Sequence, residues 1–208
     1  MKLAAISTCL TALTAMLVSG AAHAALITPG QNLFALSEAG PVGATVLATQ
    51  TIPFVTATYS GSLTSTVLTG DTSNALGGLT FTYAIQNDAN SAHAINRLAV
   101  NGFVGFATDM SFSGLSGAIA PTLNDRDAGG NVIGFTYIGA PIGPGPIAPG
   151  ALTNLMVVQT NATNYRATLS NIIDGSIAVV DSFAPVVIPE PVSASALLLT
   201  AGLVRRRR

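Results

Sequence analysis

The sequence predicts an all-β fold, a single β-sandwich or jelly-roll-like domain held between two apolar terminal segments. Three observations predict it. Apolar and hydroxyl residues alternate with period two along several short runs. Turn pairs containing Gly, Asn or Asp separate those runs. No segment of the middle shows the 3.6-residue period of an amphipathic helix. The composition agrees. Only 8% of the 208 residues are charged and the mean hydropathy is +0.56. Much of that apolar excess lies at the two ends, and the middle is rich in Thr, Ser, Gly, Ala and Val. The middle comprises roughly 165 residues, enough for one domain with a real core.

The first segment, residues 1–24, reads as an export signal. Lys2 supplies the charged start, Leu3 to Val18 the apolar stretch, and Ala22-His23-Ala24 an A-x-A cleavage site. Ala22 and Ala24 are the residues a signal peptidase reads after passage through the Sec translocon. The lone cysteine, Cys9, lies inside the apolar run and follows Thr8, which does not suit a lipid-attachment cysteine. Cleavage leaves a domain without any thiol, hence without a disulfide or a thiolate metal site.

Residues 25–184 form the expected sandwich. Val55, Ala57, Tyr59, Leu63 and Val67 alternate with Thr56, Thr58, Ser60, Ser62, Thr64 and Thr66, which predicts one strand with a buried face and a wet hydroxyl face. Leu79, Phe81, Tyr83 and Ile85 alternate with Thr80, Thr82, Ala84 and Gln86. Ile133, Phe135 and Tyr137 give a third strand. Leu155 to Val158 is apolar on both faces and predicts a central strand. Tyr165, Ala167 and Leu169 alternate with Arg166, Thr168 and Ser170, and a last strand covers Ile177 to Phe183. Gly70-Asp71, Gly77-Gly78, Asn87-Asp88, Gly129-Gly130 and Asp174-Gly175 mark turns. Gly139 to Gly150, with Pro141, Pro144, Pro146 and Pro149, reads as a surface loop.

Residues 185–208 read as a linker followed by a removable membrane stop. Pro189-Glu190-Pro191 resists helix formation and stays extended, the shape a peptidase cleft takes. Val192 to Val204 carries no charge over thirteen residues. As a helix it spans about 20 Å, short of the ~30 Å hydrocarbon core, which suits a transient anchor. Arg205, Arg206, Arg207 and Arg208 belong on the cytoplasmic side. This arrangement resembles the PEP-CTERM sorting signal of Gram-negative bacteria. The resemblance covers Ile188 to Arg208 and implies recognition and cleavage by an exosortase, with Pro189, Glu190 and Pro191 on the substrate side. It also implies a protein of biofilm- or exopolysaccharide-forming cells. The sandwich is similar in texture to the small β-rich ectodomains such proteins carry.

Charge excludes some partners. The net charge of the whole chain is −1, but between Ala25 and Ile188 three arginines face eight acids, a net −5 with no lysine. Such a domain has no electrostatic footprint for nucleic acid. Chemistry-bearing patterns are sparse. His93 is the sole histidine after the signal, sits in the polar run Asn87 to His93, and reads as a surface loop residue. No G-x-S-x-G motif accompanies it. The eight acids allow a glycosidase-like pair in principle, yet most lie at turns, where Asp bonds the backbone. Asp125, Asp127 and Asn131 are the best candidates for a Ca²⁺ loop. The D-x-[DN]-x-[DN]-G spacing is broken at Ala128-Gly129 and Arg126 intrudes, so a hairpin turn is the expectation. There is no Trp, and Tyr59, Tyr83, Tyr137 and Tyr165 read as core rather than as a sugar platform. The sequence thus predicts a non-enzymatic surface or exopolysaccharide-matrix component without a cofactor or catalytic residue. A carbohydrate- or Ca²⁺-binding module is the alternative, and a matrix glycoside hydrolase follows it. The expected route is export, a transient inner-membrane anchor facing the periplasm, then the cell surface or extracellular matrix.

Overall fold

The computed structural model describes residues 25–114 and 117–188, and among them every regular element is a strand. The strands are β1 (Ala25–Leu26), β2 (Asn32–Phe34), β3 (Ser37–Glu38), β4 (Thr45–Val55), β5 (Ser60–Thr69), β6 (Thr80–Asn87), β7 (Arg97–Asn101), β8 (Thr108–Ser113), β9 (Leu123–Arg126), β10 (Val132–Thr136), β11 (Leu155–Thr160), β12 (Tyr165–Ile173) and β13 (Ile177–Pro185). They make two sheets. One runs β1-β8-β11-β6-β5-β4, with β3 joined parallel to β8. The other runs β13-β12-β7-β10-β9-β2 and is antiparallel throughout.

One core lies between the sheets. Leu63, Val67, Phe81, Tyr83, Met156 and Val158 come from the first sheet; Leu98, Val100, Ile133, Phe135, Ile172 and Val180 come from the second. Phe81 meets Phe103 edge to face at 6.0 Å. Tyrosines tie the sheets together through their polar tips. Tyr59 Oη donates to the Ile172 carbonyl at 2.6 Å, and Tyr83 Oη donates to the Phe183 carbonyl at 2.7 Å. Burial pushes the phenols of Tyr59, Tyr83 and Tyr137 up, so they stay neutral donors. Each aromatic therefore buries its ring without orphaning its hydroxyl.

Several expectations hold. β11 lies between β8 and β6, as its two apolar faces predict. β6 and β10 bury Phe81, Tyr83, Ile85, Ile133 and Phe135 as the alternation requires. Every marked turn falls between strands or at a strand end, and Gly139 to Gly150 is irregular apart from an isolated bridge of Ile147 to Ile95.

Four expectations need correction. The run from Val55 to Val67 is two strands. Thr56 Oγ1 accepts from Tyr59 N–H at 3.0 Å, and Thr56 N–H bonds the Tyr59 carbonyl, so the chain reverses there. Val55 consequently points to solvent, 80% exposed, while Leu63 and Val67 keep the inward parity. In β12 the parity is inverted. Ser170 and Ile172 are buried and Leu169 is 51% exposed, because Ile172, beyond the run that was read, fixes which face is inside. Ser170 and Ser182 fill the inner face as a hydrogen-bonded hydroxyl pair at 2.6 Å. Tyr165 is accordingly half-buried beside Phe183, edge to face at 5.6 Å, and is not enclosed like the other three tyrosines. Finally, Pro185 belongs to β13 and pairs with Tyr165, so the sheet reaches one residue into the expected linker.

Candidate functional site

The sequence-predicted residues fall into three groups. Ala22, Ala24, Pro189, Glu190, Pro191 and Arg205 to Arg208 lie outside the described residues. Asp125, Asp127 and Asn131 lie on the β9–β10 hairpin. His93 lies in the turn after β6.

The hairpin does not gather its oxygens around one centre. Asp125 is taken by Arg97, whose Nη1 and Nη2 donate to its two carboxylate oxygens at 2.5 and 2.6 Å. The guanidinium reaches it by crossing over Gly134, where any Cβ would lie 2.1 Å from Nη2. That crossing explains a glycine inside a central strand. Asp127 Oδ1 instead accepts the Val132 N–H at 2.8 Å and closes the turn. Arg126, which the sequence sets within the candidate cation loop, is buried and bonds backbone carbonyls. The arrangement is a structural knot of charge-assisted bonds rather than a bowl of free oxygens. Among the described residues no cluster of three or more His, Cys, Asp or Glu is placed to hold a metal ion.

His93 is exposed as expected, but it has a partner the sequence did not show. Its Nδ1 lies 3.1 Å from Asp174 Oδ2 across 81 residues. A carboxylate on Nδ1 orients an imidazole, which is the supporting half of a nucleophilic relay. The other half needs a hydroxyl on Nε2, and among the described residues none is hydrogen-bonded there. Nearby, Thr58 Oγ1 meets Ser176 Oγ at 3.3 Å. The pair thus pins the β6–β7 turn to the β12–β13 hairpin.

Asp71 is the polar hub that sequence reading treated as a plain turn residue. It accepts from Val42 N–H (3.0 Å), Ser73 N–H (3.0 Å), Ser73 Oγ (2.6 Å) and Thr80 Oγ1 (2.8 Å). Burial by itself raises this carboxyl, but the hydrogen bonds from Ser73, Val42 and Thr80 outweigh it and hold the group below its usual 3.8. A folded-state value below the unfolded one adds stability that is complete above the unfolded value and is lost as pH falls through the folded one. The thermal stability of wild type should therefore fall on acidification below about pH 4, and Asp71→Asn should flatten that dependence. Equal loss in both proteins between neutral and acid pH would remove the assignment. No family model matches the chain, and no curated protein or solved structure matches it.

Two open recesses border these elements. One of 240 Å³ is lined by Asp71, Gly77, Gly78, Leu79, Ala162 and Thr163; another of 170 Å³ lies at the Thr56 to Ser60 turn against Asn90 and Ser91. In the first, the Asp71 carboxylate is already held by its hydrogen bonds to Val42, Ser73 and Thr80; in the second, Thr56, Ser60 and Ser91 are bonded within and between the turns. The most regular polar surface lies elsewhere, on the outer face of β4 and β5. Thr49 and Thr66 hydroxyls meet at 3.0 Å and those of Thr51 and Thr64 at 2.9 Å, giving an exposed two-by-two ladder. The sequence foresaw the β5 half of that face. It missed β4, whose start does not alternate and whose Pro53 argues against a strand. Proline is tolerated because β4 lies at the sheet edge.

Proposed function

We propose that the chain is an exported protein of the PEP-CTERM class, carrying a jelly-roll-like sandwich that serves as a non-enzymatic component of the cell surface or exopolysaccharide matrix. One observation carries the reading: Pro189-Glu190-Pro191, the uncharged Val192 to Val204 and four arginines occur in that order, opposite an export signal. Residues 1–24 direct passage through the Sec translocon and are removed by signal peptidase. The short apolar stretch Val192 to Val204 then holds the protein in the inner membrane, domain outward, until an exosortase cuts at the motif. The exposure of Val187 and Ile188, 66% and 57%, supports access to the adjoining segment. The engagement of Asp125 by Arg97, of Asp127 by the turn backbone and of Arg126 by buried carbonyls favours a structural over a Ca²⁺-binding role.

Intact-mass measurement of protein from the host tests the sorting step. The mature chain should begin at Ala25 and end near the Pro-Glu-Pro motif. Deleting the peptidase, or converting Pro189 and Pro191 to Ala, should retain the tail in the membrane fraction. Mature protein that still carries Arg205 to Arg208 in wild-type cells would sink the proposal. Calorimetry against Ca²⁺ and the host's polysaccharide should register no heat; binding of either would move the domain to the binding-module alternative.

A further inference from the structure

We infer that β4 is a self-pairing edge through which two copies of this chain join their first sheets into one antiparallel sheet. The inference rests on the edge alone and stands whether or not the sorting reading holds.

Each sandwich has four sheet edges, and open edges invite pairing unless they are blunted. Three are blunted here. β1 and β2 are two and three residues long. β13 is long, but side chains from the first sheet occupy its backbone. Ser65 Oγ accepts Phe183 N–H at 3.0 Å and Tyr83 Oη donates to the Phe183 carbonyl, while Asp181 and Pro185 put a charge and a proline on the strand. β4 is guarded only towards its two ends, by a bulge near Leu47 and by Pro53. It is eleven residues long, carries no charged side chain, and is the end strand of its sheet. Among the described residues its backbone bonds only to β5. A bulge near Leu47 and Pro53 mark the limits of a clean segment between them.

The sequence of that segment specifies a second copy as the occupant. Pro53 cannot donate, so its position is one whose amide would face the open edge. Thr49 and Thr51 share its parity and therefore aim their N–H and C=O groups outward. An antiparallel copy centred on Gln50 puts Thr49 opposite the second copy's Thr51, and the reverse. Each such pair exchanges both N–H···O=C bonds. On the outer face the threonine ladder continues unbroken across the junction, from Thr66 and Thr49 to the copy's Thr51 and Thr64. Threonine opposite threonine is a favourable cross-strand pair, and an uncharged edge brings no self-repulsion. Because the contact is isologous it closes at two copies.

The test uses the full chain in mild detergent, by sedimentation and by hydrogen exchange at the Thr49 and Thr51 amides. Wild type should dimerise, with both amides protected in a concentration-dependent way. Thr49→Lys with Thr51→Lys places like charges opposite each other and should weaken dimerisation at least about tenfold. Thr49→Lys with Thr51→Glu sets Lys opposite Glu in this register alone and should restore the dimer. That pair of variants shares the same exposed positions, so the second controls for folding of the first. A wild-type monomer, open-ended oligomers, or a dimer indifferent to the double lysine change would overturn the inference.

Discussion

Replacing Arg126 by Met should cost the fold about 3–5 kcal/mol, a large part of the 5–15 kcal/mol that holds a typical domain. The side chain is 5% exposed and serves carbonyls from three separate segments. Nε donates to Gly130 at 3.1 Å and Nη1 to Ile27 at 3.2 Å, while Nη2 donates to Phe103 at 2.7 Å and Phe106 at 2.9 Å. Methionine keeps the apolar stem but leaves these acceptors without a donor in a place water reaches poorly, and each orphaned buried acceptor costs about 1–3 kcal/mol before relaxation. The buried charge is held chiefly by these carbonyls, with Asp127 beside it in the chain. Burial pulls the guanidinium's pKa down, and the Asp127 carboxylate opposes only part of that shift. For a domain of this size the melting temperature should fall by roughly 6–20 °C. Arg126→Lys, with one ammonium in place of a fork, should recover only part of the loss. Urea unfolding that places Arg126→Met within 1 kcal/mol of wild type would show that the N-terminal strand, the Phe103–Phe106 loop and the hairpin do not depend on this hub.

Arg126 also shows where sequence reading succeeds and where it stops. The hairpin around it was legible, because Gly-Gly after a short polar run is local turn chemistry. Its partners were not, because Ile27 and Phe103 are 99 and 23 residues away. The same division runs through the molecule. β6, β10 and β11 were readable since each alternates or is apolar throughout, and each lies inside its sheet. β8 and β9, with sequences TDMSFS and LNDR, carry too few apolar residues for any period to emerge. β12 was found but faced the wrong way, since one-residue register decides the face and the deciding Ile172 lay beyond the window. The candidate cation loop failed for a related reason. Asp125 spends its charge on Arg97 of β7, a strand not visible in the sequence. Polar residues declare their type in a sequence, but their partners depend on strand order.

Gly61→Ala should be among the most damaging single-methyl additions to this protein, a loss of at least about 3 kcal/mol and of much of the soluble yield. Gly61 lies on the inward face of β5, paired with Phe54 of β4 on one side and Asn87 of β6 on the other. Its backbone is not left-handed, so conformational freedom is not what selects glycine there. Space is. An added Cβ would lie 2.0 Å from the Gln86 carbonyl oxygen and 2.8 Å from Phe54 Cζ. The ring could swing away; the carbonyl belongs to β6 and cannot move without tearing the β5–β6 ladder. The Phe54 ring also covers the glycine and meets Tyr59 edge to face at 5.9 Å, closing that end of the core. Shrinking the ring therefore separates the two obstacles. Gly61→Ala combined with Phe54→Ala should be worse than either alone, because the backbone contact persists while a buried aromatic is lost. Gly139→Ala, whose Cβ meets nothing within 4 Å, should stay within about 0.5 kcal/mol of wild type and serves as the control. If Gly61→Ala melted with wild type, or if losing the Phe54 ring rescued it, the close approach of the Gln86 carbonyl would not be what fixes glycine at this position.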